Sequence, residues 1–326
     1  MDARLRWCLR KRYQVLRQPQ MKSVLKVQDE ILSAVQTFLR GEGFIEILPP
    51  IIGPVTDPGI RGARQVTINY YGARFKLMSS IILYKQMAAT NLEKIFAFSP
   101  NIRLEPVESL TTRRHLAEFR QVDVEQTHVI YHDMMKLVER LVQHVCRQIR
   151  RKCGVELEKL ERMLKAPKTP FKRMTYQEAV ELLNSEGFIV EHGKEFSWEE
   201  EKAVSAMFHE PFFITDYPLT ARGFYDREDP ERPGVLRDFD LIYPEGFGEA
   251  VSGGEREHTY KDVVKRMRLT GEDPAEYSWY LSMLKDGVLP SAGFGIGVER
   301  LTRWVCGLEN VWDAVPFPRV PGVVSP

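Results

Sequence analysis

The sequence predicts an α+β fold: a mostly antiparallel sheet flanked by helices, with a small helical insertion over residues 155–215. Three observations predict it. Strand-like runs occur without the strict βαβ alternation of a parallel sheet, and neither a GxGxxG nor a GxxxxGK[ST] fingerprint is present. KIFAFSPNIRL (94–104) and EFRQVDVEQTHV (118–129) flank a charged loop, the pattern of two antiparallel strands. RDFDLIYPEGFGEAVSGG (237–254) reads as two more strands. With no internal repeat, residues 1–326 are read as one domain of 326 residues.

The elements follow in order. MDARLRWCLRKRY is a basic lead-in with no apolar stretch behind it, so it is not a secretory signal. Residues 22–40 place Val24, Val27, Ile31, Val35 and Leu39 at helical spacing, ended by Gly41 and Gly43. FIEIL (44–48) is a strand stopped by Pro49-Pro50, and 53–65 is a Gly- and Pro-rich loop. Residues 66–78 form a hairpin turning at Tyr71-Gly72, and 80–91 a helix. Asp133 caps a long helix with Met134, Leu137, Val138, Leu141, Val142, Val145 and Ile149 on one face. Within the insertion, Thr175-x-x-Glu178 and Ser197-x-x-Glu200 are capping boxes. PFFITDYP (211–218) returns to the sheet, 275–287 is a helix with a Gly stop, and 292–307 runs from a Gly-rich strand into a helix.

Composition narrows the function. Hydrophobic residues at 43% and charged ones at 28% fit a soluble globular protein. The 46 Lys+Arg against 45 Asp+Glu exclude a polycationic nucleic-acid coat, and no apolar run could span a membrane. Four scattered cysteines point to reduced thiols and a cytoplasmic location.

Three islands combine arginine with carboxylate in strand-like sequence. They are Arg103 with Glu105; Asp240 to Glu249 with Ser252 and Arg256; and Glu299 with Arg300. Charges in strands are costly unless paired, and a polyphosphate with Mg²⁺ would pair with all of them. These islands, in this order, resemble the three motifs of class II aminoacyl-tRNA synthetases. The helix 22–40 with FIEILPP resembles motif 1, IRLEP followed by RRHLAEFRQVDVE motif 2, and GFGIGVERLTRWVCG followed by VPFPR motif 3. LYKQ, RHLAEF and SGGER match the aspartyl/asparaginyl branch, over about Arg4 to Arg319.

The resemblance implies ATP and Mg²⁺ as cofactors and assigns roles. Arg103 would contact the α-phosphate and the attacked carboxylate, Glu105 the adenine end, Phe119 the adenine face, His115 the outer phosphates and Arg300 the base or far phosphate. Glu249, Asp240 and Ser252 would organise the metal; Arg103, Arg300 and Glu249 form the catalytic set. Lys85, Asp123 and Arg256, with Ser252, would bind aspartate, two cations against one anion suiting a carboxylate guest. It also implies a homodimer through motif 1, so sedimentation at micromolar concentration is expected to show a dimer.

Two departures from the family shape the expected activity. The chain begins where the catalytic core should begin, without an anticodon-binding domain, and Ile82 replaces a glutamine that holds the substrate α-amino group. An aspartate-activating site without a tRNA reader resembles the archaeal asparagine synthetases of this branch. The expectation is therefore an AMP-forming aspartate–ammonia ligase, with aspartate, ATP and ammonia as partners and no tRNA. Aspartate would lie reversed, its α-carboxylate on Lys85 and Arg256, its ammonium on Asp123 or Glu255. With Asp2 after Met1 there is no amino-terminal cysteine for a glutaminase. The alternatives are an aspartyl-adenylate enzyme with another acceptor (tRNA, protein or small carrier), a non-catalytic regulatory paralogue, and tRNA binding through Arg4, Arg6, Arg10, Lys11 and Arg12.

Overall fold

The structure, a computed structural model, describes residues 3–58 and 62–323. The readings of Asp2, of the Arg4 side chain and of the centre of the 53–65 loop lie outside the described residues. The basic lead-in is helical, as α1 (Ala3–Arg10) and α2 (Arg12–Val15). It is not simply solvated: Arg12 is buried and donates to the carbonyls of Trp312, Val315 and Pro316, tying the amino-terminal helices to the segment after motif 3.

Pro19, whose fixed φ suits a first helical position, starts α3 (Pro19–Gly41), longer than its apolar stripe suggested. The strand expected at 44–48 shrinks to β1 (Ile45–Glu46). β2 (Ile52–Gly53), β3 (Thr67–Tyr70) and β4 (Ala73–Leu77) form a small separate sheet, with the hairpin turning at Tyr71-Gly72 as expected. Then come α4 (Ile82–Leu92), β5 (Lys94–Ile102) and β6 (Glu118–Thr127). α5 (Tyr131–Lys152) begins three residues earlier than a cap at Asp133 would place it. Asp133 instead reaches back to accept from the Ile130 amide, 3.4 Å.

The 155–215 segment opens within α6 (Gly154–Lys159) and is not purely helical. Besides α7 (Tyr176–Ser185) and α8 (Trp198–Ala206), both started by the expected capping boxes, it holds β7 (Lys172–Thr175) and β8 (Phe212–Thr215), which join the main sheet. β9 (Asp238–Tyr243), β10 (Gly248–Glu255), α9 (Tyr260–Thr270), α10 (Ser278–Asp286), β11 (Ser291–Gly297) and α11 (Val298–Cys306) complete the chain's regular elements.

The eight-stranded sheet runs β1-β5-β6-β11-β10-β9-β8-β7; its central pairs are antiparallel and the two edge pairs parallel. Period-2 alternation divides its faces. Val122, Val124, Phe239, Leu241, Val251, Phe294 and Ile296 point into a core closed by α3, α5 and α11. On the other face, strand register aligns Asp240, Ser252, Gly295 and Asp123 in one row. Asp238, Gly254, Gly293 and Glu125 form the next. The fold thus gathers four acidic side chains on one face and leaves glycine between them.

No helix is long and apolar enough to cross a membrane, among the described residues. The four cysteines are free thiols.

Candidate active site

A cleft lies over that acidic face, and the residues expected to form the site line it, except Asp240 and the expected ammonium anchor Glu255. Arg103 follows β5; its Nε donates to the Ser79 carbonyl at 3.0 Å, and its guanidinium lies 5.1 Å from the Phe119 ring centroid. Glu105, His115 and Phe119 line the same end, where His115 Nδ1 meets Thr112 Oγ1 at 2.6 Å. Arg300, in the first turn of α11, donates to Glu249 Oε2 at 3.0 Å and to its backbone carbonyl at 3.2 Å. Burial, and next the neighbouring Arg114, lower the Arg300 pKa. Arg114 donates a second bond to Glu249 Oε2, 3.0 Å.

Asp240 is buried beneath Arg222, which the sequence reading did not single out. Arg222 binds Asp240 at 2.6 Å, Glu195 at 2.5 Å and Asp238 at 3.2 Å, and its Nη1 is 3.5 Å from Ser252 Oγ. Burial raises the Asp238 carboxyl to about 8, against the pull of Arg222. Asp240 Oδ1 has no hydrogen-bond partner.

At the other end, Lys85 from α4 donates to Asp123 Oδ1 and to the Phe294 carbonyl, both at 3.1 Å, and lies 3.8 Å from Glu125. Ser99 also donates to Asp123. Arg256 binds Glu125 through Nε at 3.1 Å and Asp226 through Nη1 at 3.2 Å. Burial pulls the Arg256 pKa down, but Glu125 and Asp226 hold it above its ordinary value.

This corrects the expected charge count. Lys85, Asp123 and Arg256 do come together, but Glu125 and Asp226 join them, so two cations face three carboxylates. Burial lifts the Asp226 carboxyl above the usual range, and Asp123 and Glu125 alone already match the two cations. Among the described residues at this end of the cleft, no positive charge is left over for a carboxylate side chain. Glu255, one expected anchor for an ammonium group, faces away from the cleft toward Arg227 at 3.1 Å and Arg237 at 3.4 Å.

Glycine keeps this floor open. A Cβ at Gly293 would sit 2.2 Å from the Val124 carbonyl and 2.0 Å from Glu125 Oε2, so any side chain there would break the β6 pairing and displace Glu125.

Glu299 lies under the cleft, and both its carboxylate oxygens accept from the Arg120 amide at 3.0 Å. Burial pushes its carboxyl up to about 7 from 4.5. The folded state therefore holds this proton more tightly than the unfolded chain. The contribution to stability is fully present below about pH 4.5 and is lost as pH rises through about 7. Urea titrations are expected to show stability falling by a few kcal/mol across this window, and Glu299→Gln should flatten that fall.

The comparisons with known proteins agree with this geometry. Residues 5–321 match the family model of tRNA synthetases class II (D, K and N). An asparagine–tRNA ligase of Pyrococcus abyssi is 35% identical over 314 residues, covering 95% of this chain and 71% of the relative. The crystal structure of asparaginyl-tRNA synthetase from Pyrococcus horikoshii complexed with asparaginyl-adenylate superposes with a TM-score of 0.92 at 32% identity, covering 100% of this chain and 74% of that one. Asparaginyl-tRNA synthetase from Entamoeba histolytica, also with asparaginyl-adenylate, gives 0.90 at 27% identity, with 100% and 73% covered. These relatives join asparagine to tRNA. They overturn the expectation of an aspartate–ammonia ligase that makes asparagine from ammonia and has no tRNA partner. The match over residues 5–321, the antiparallel sheet with its three arginine–carboxylate islands and the superposition together show that the chain belongs to the class II tRNA synthetases of the D, K and N group.

Proposed function

We propose that this chain activates asparagine with ATP as an aminoacyl-adenylate and transfers it to tRNA. The observation that carries the choice of amino acid is the balanced pocket. With Lys85 and Arg256 neutralised by Asp123, Glu125 and Asp226, a neutral amide is a better guest than a carboxylate. The asparagine–tRNA ligases among the relatives support the same amino acid and acceptor.

Arg103 would hold the asparagine carboxylate against the α-phosphate. One carboxylate oxygen attacks phosphorus, the bond to the bridging oxygen breaks, and pyrophosphate leaves. Phe119 would stack on the adenine, with Glu105 at its edge, while His115 and Arg300 would draw the outer phosphates away from the attacking oxygen. Such clamps work by meeting charge as it develops on the phosphoryl oxygens.

The residues fit Mg²⁺. Two carboxylates and a hydroxyl, Asp240, Glu249 and Ser252, are hard oxygen donors, and the buried Asp240 Oδ1 lacks a partner. Bound Mg²⁺ would neutralise the β- and γ-phosphates as pyrophosphate departs. A cytoplasmic setting, where ATP and tRNA are found, goes with this reading. ATP–pyrophosphate exchange tests it: asparagine should support exchange far better than aspartate, and the reverse preference would refute the amide pocket.

A further inference from the structure

Glu249 does not stand alone at the phosphate end of the cleft. Its Oε2 accepts from Arg114 and from Arg300, each at 3.0 Å. Arg114 also binds Glu201, which lies on α8 in the 155–215 segment, far away in sequence. The Glu201 carboxylate in addition accepts from the Glu249 backbone amide at 3.3 Å. All of these side chains except Arg300 are at most 15% exposed.

The Trp198 ring roofs the Arg114 guanidinium at 4.6 Å. Gly248 closes the other side: its φ is +78°, and a Cβ there would lie 3.0 Å from both Arg114 Nη1 and Trp198 Cζ3. Arg114 is therefore packed between Trp198 and Gly248 while it bridges the two carboxylates.

We infer that Glu201 is a positioning residue that shares the Arg114 charge and so sets how much of the Glu249 carboxylate charge remains for Mg²⁺. This rests on the metal placement in the proposed function. In a water-poor cluster a guanidinium divided between two carboxylates binds each less strongly than it would bind one. Neutralising Glu201 leaves the Arg114 charge to Glu249, which then competes with the metal. Removing Arg114 together with the Glu201 charge lifts that competition and leaves no buried carboxylate unpaired.

The test is Mn²⁺ binding followed by electron paramagnetic resonance with a non-hydrolysable ATP analogue, alongside the Mg²⁺ dependence of ATP–pyrophosphate exchange. Glu201→Gln is expected to raise the half-saturating metal concentration on the order of 3–10-fold. Glu201→Asp, which keeps the charge, should restore part of it, and the KM for asparagine should not move. The double variant R114M/E201Q should return to the wild-type value or below, a reversal that general loosening of the site would not give. A Glu201→Gln curve that superposes on wild type, or a double variant weaker than Glu201→Gln, overturns the inference. Should Glu201→Gln fail to fold, the double variant decides alone, and metal binding weaker than wild type overturns it. Glu249→Gln, run in parallel, separates the two levels. If it weakens metal binding and Glu201→Gln does not, only this inference fails; if it has no effect, the metal placement fails and the inference with it.

Discussion

Replacing Arg103 with alanine is expected to reduce asparagine-dependent ATP–pyrophosphate exchange by about 10²–10³-fold, and Arg300→Ala to do the same, with melting temperatures near wild type. Both side chains line the cleft, and neither is buried away from it. Arg103 is aimed by one bond, from its Nε to the Ser79 carbonyl, and by the Phe119 ring beneath it. In the proposed reaction its remaining nitrogens would meet the carboxylate and the α-phosphate. Arg300 is fixed by Glu249 in the same way. Truncating either removes a preorganised charge that acts most strongly in the transition state, so the loss should fall on kcat more than on KM. Exchange within a few-fold of wild type in either variant would take ATP out of this cleft.

The largest effect on stability should come from Arg256→Met. Arg256 is 4% exposed and holds Glu125, which is fully buried, through three contacts between 3.1 and 3.3 Å. Ser291 donates to the same carboxylate at 2.8 Å, and Lys85 is 3.8 Å away, so Glu125 would not be wholly abandoned. Even so, removing one partner of a buried ion pair leaves an uncompensated charge, a loss of about 3–5 kcal/mol. Urea midpoints should show it, and R256M/E125Q should recover part of the loss, because the double change removes the Glu125 carboxylate and leaves Asp226 as the carboxylate that has lost its arginine. A single variant within 1 kcal/mol of wild type would mean that the pair is held by solvent rather than by burial.

Much of the fold was legible because local signals agreed. The stripe of α3, the Tyr71-Gly72 turn and both capping boxes each combine a residue pattern with a start or stop signal. The site residues clustered for the same reason: alternation puts Asp123 on one face of β6 and the glycines of β11 beside it. That alternation also marks Glu125, two residues on, so the third carboxylate of the pocket was readable in the sequence and was passed over. α9 was missed because its face is sparsely apolar, although Thr259-x-x-Asp262 starts it and Gly271 stops it. Arg222 and Glu201 gave no such cue. Each lies outside the segment that carries its partner, and only the folded chain shows that it meets Asp240 or Arg114. The burial of Arg12 was hidden similarly, since its partners are backbone carbonyls some three hundred residues away.

The charge balance around Lys85 and Arg256 separates an amide guest from a carboxylate one, and the acceptor separates a tRNA ligase from the asparagine synthetase first expected. One experiment reads both. The purified chain is incubated with ATP, Mg²⁺, tRNA and radiolabelled asparagine, and in parallel with radiolabelled aspartate and ammonium. Label is then followed in acid-precipitable tRNA and in free amino acids. The account predicts asparagine esterified to tRNA, with aspartate left unchanged. Free asparagine formed from aspartate and ammonium, with no label on tRNA, would contradict it.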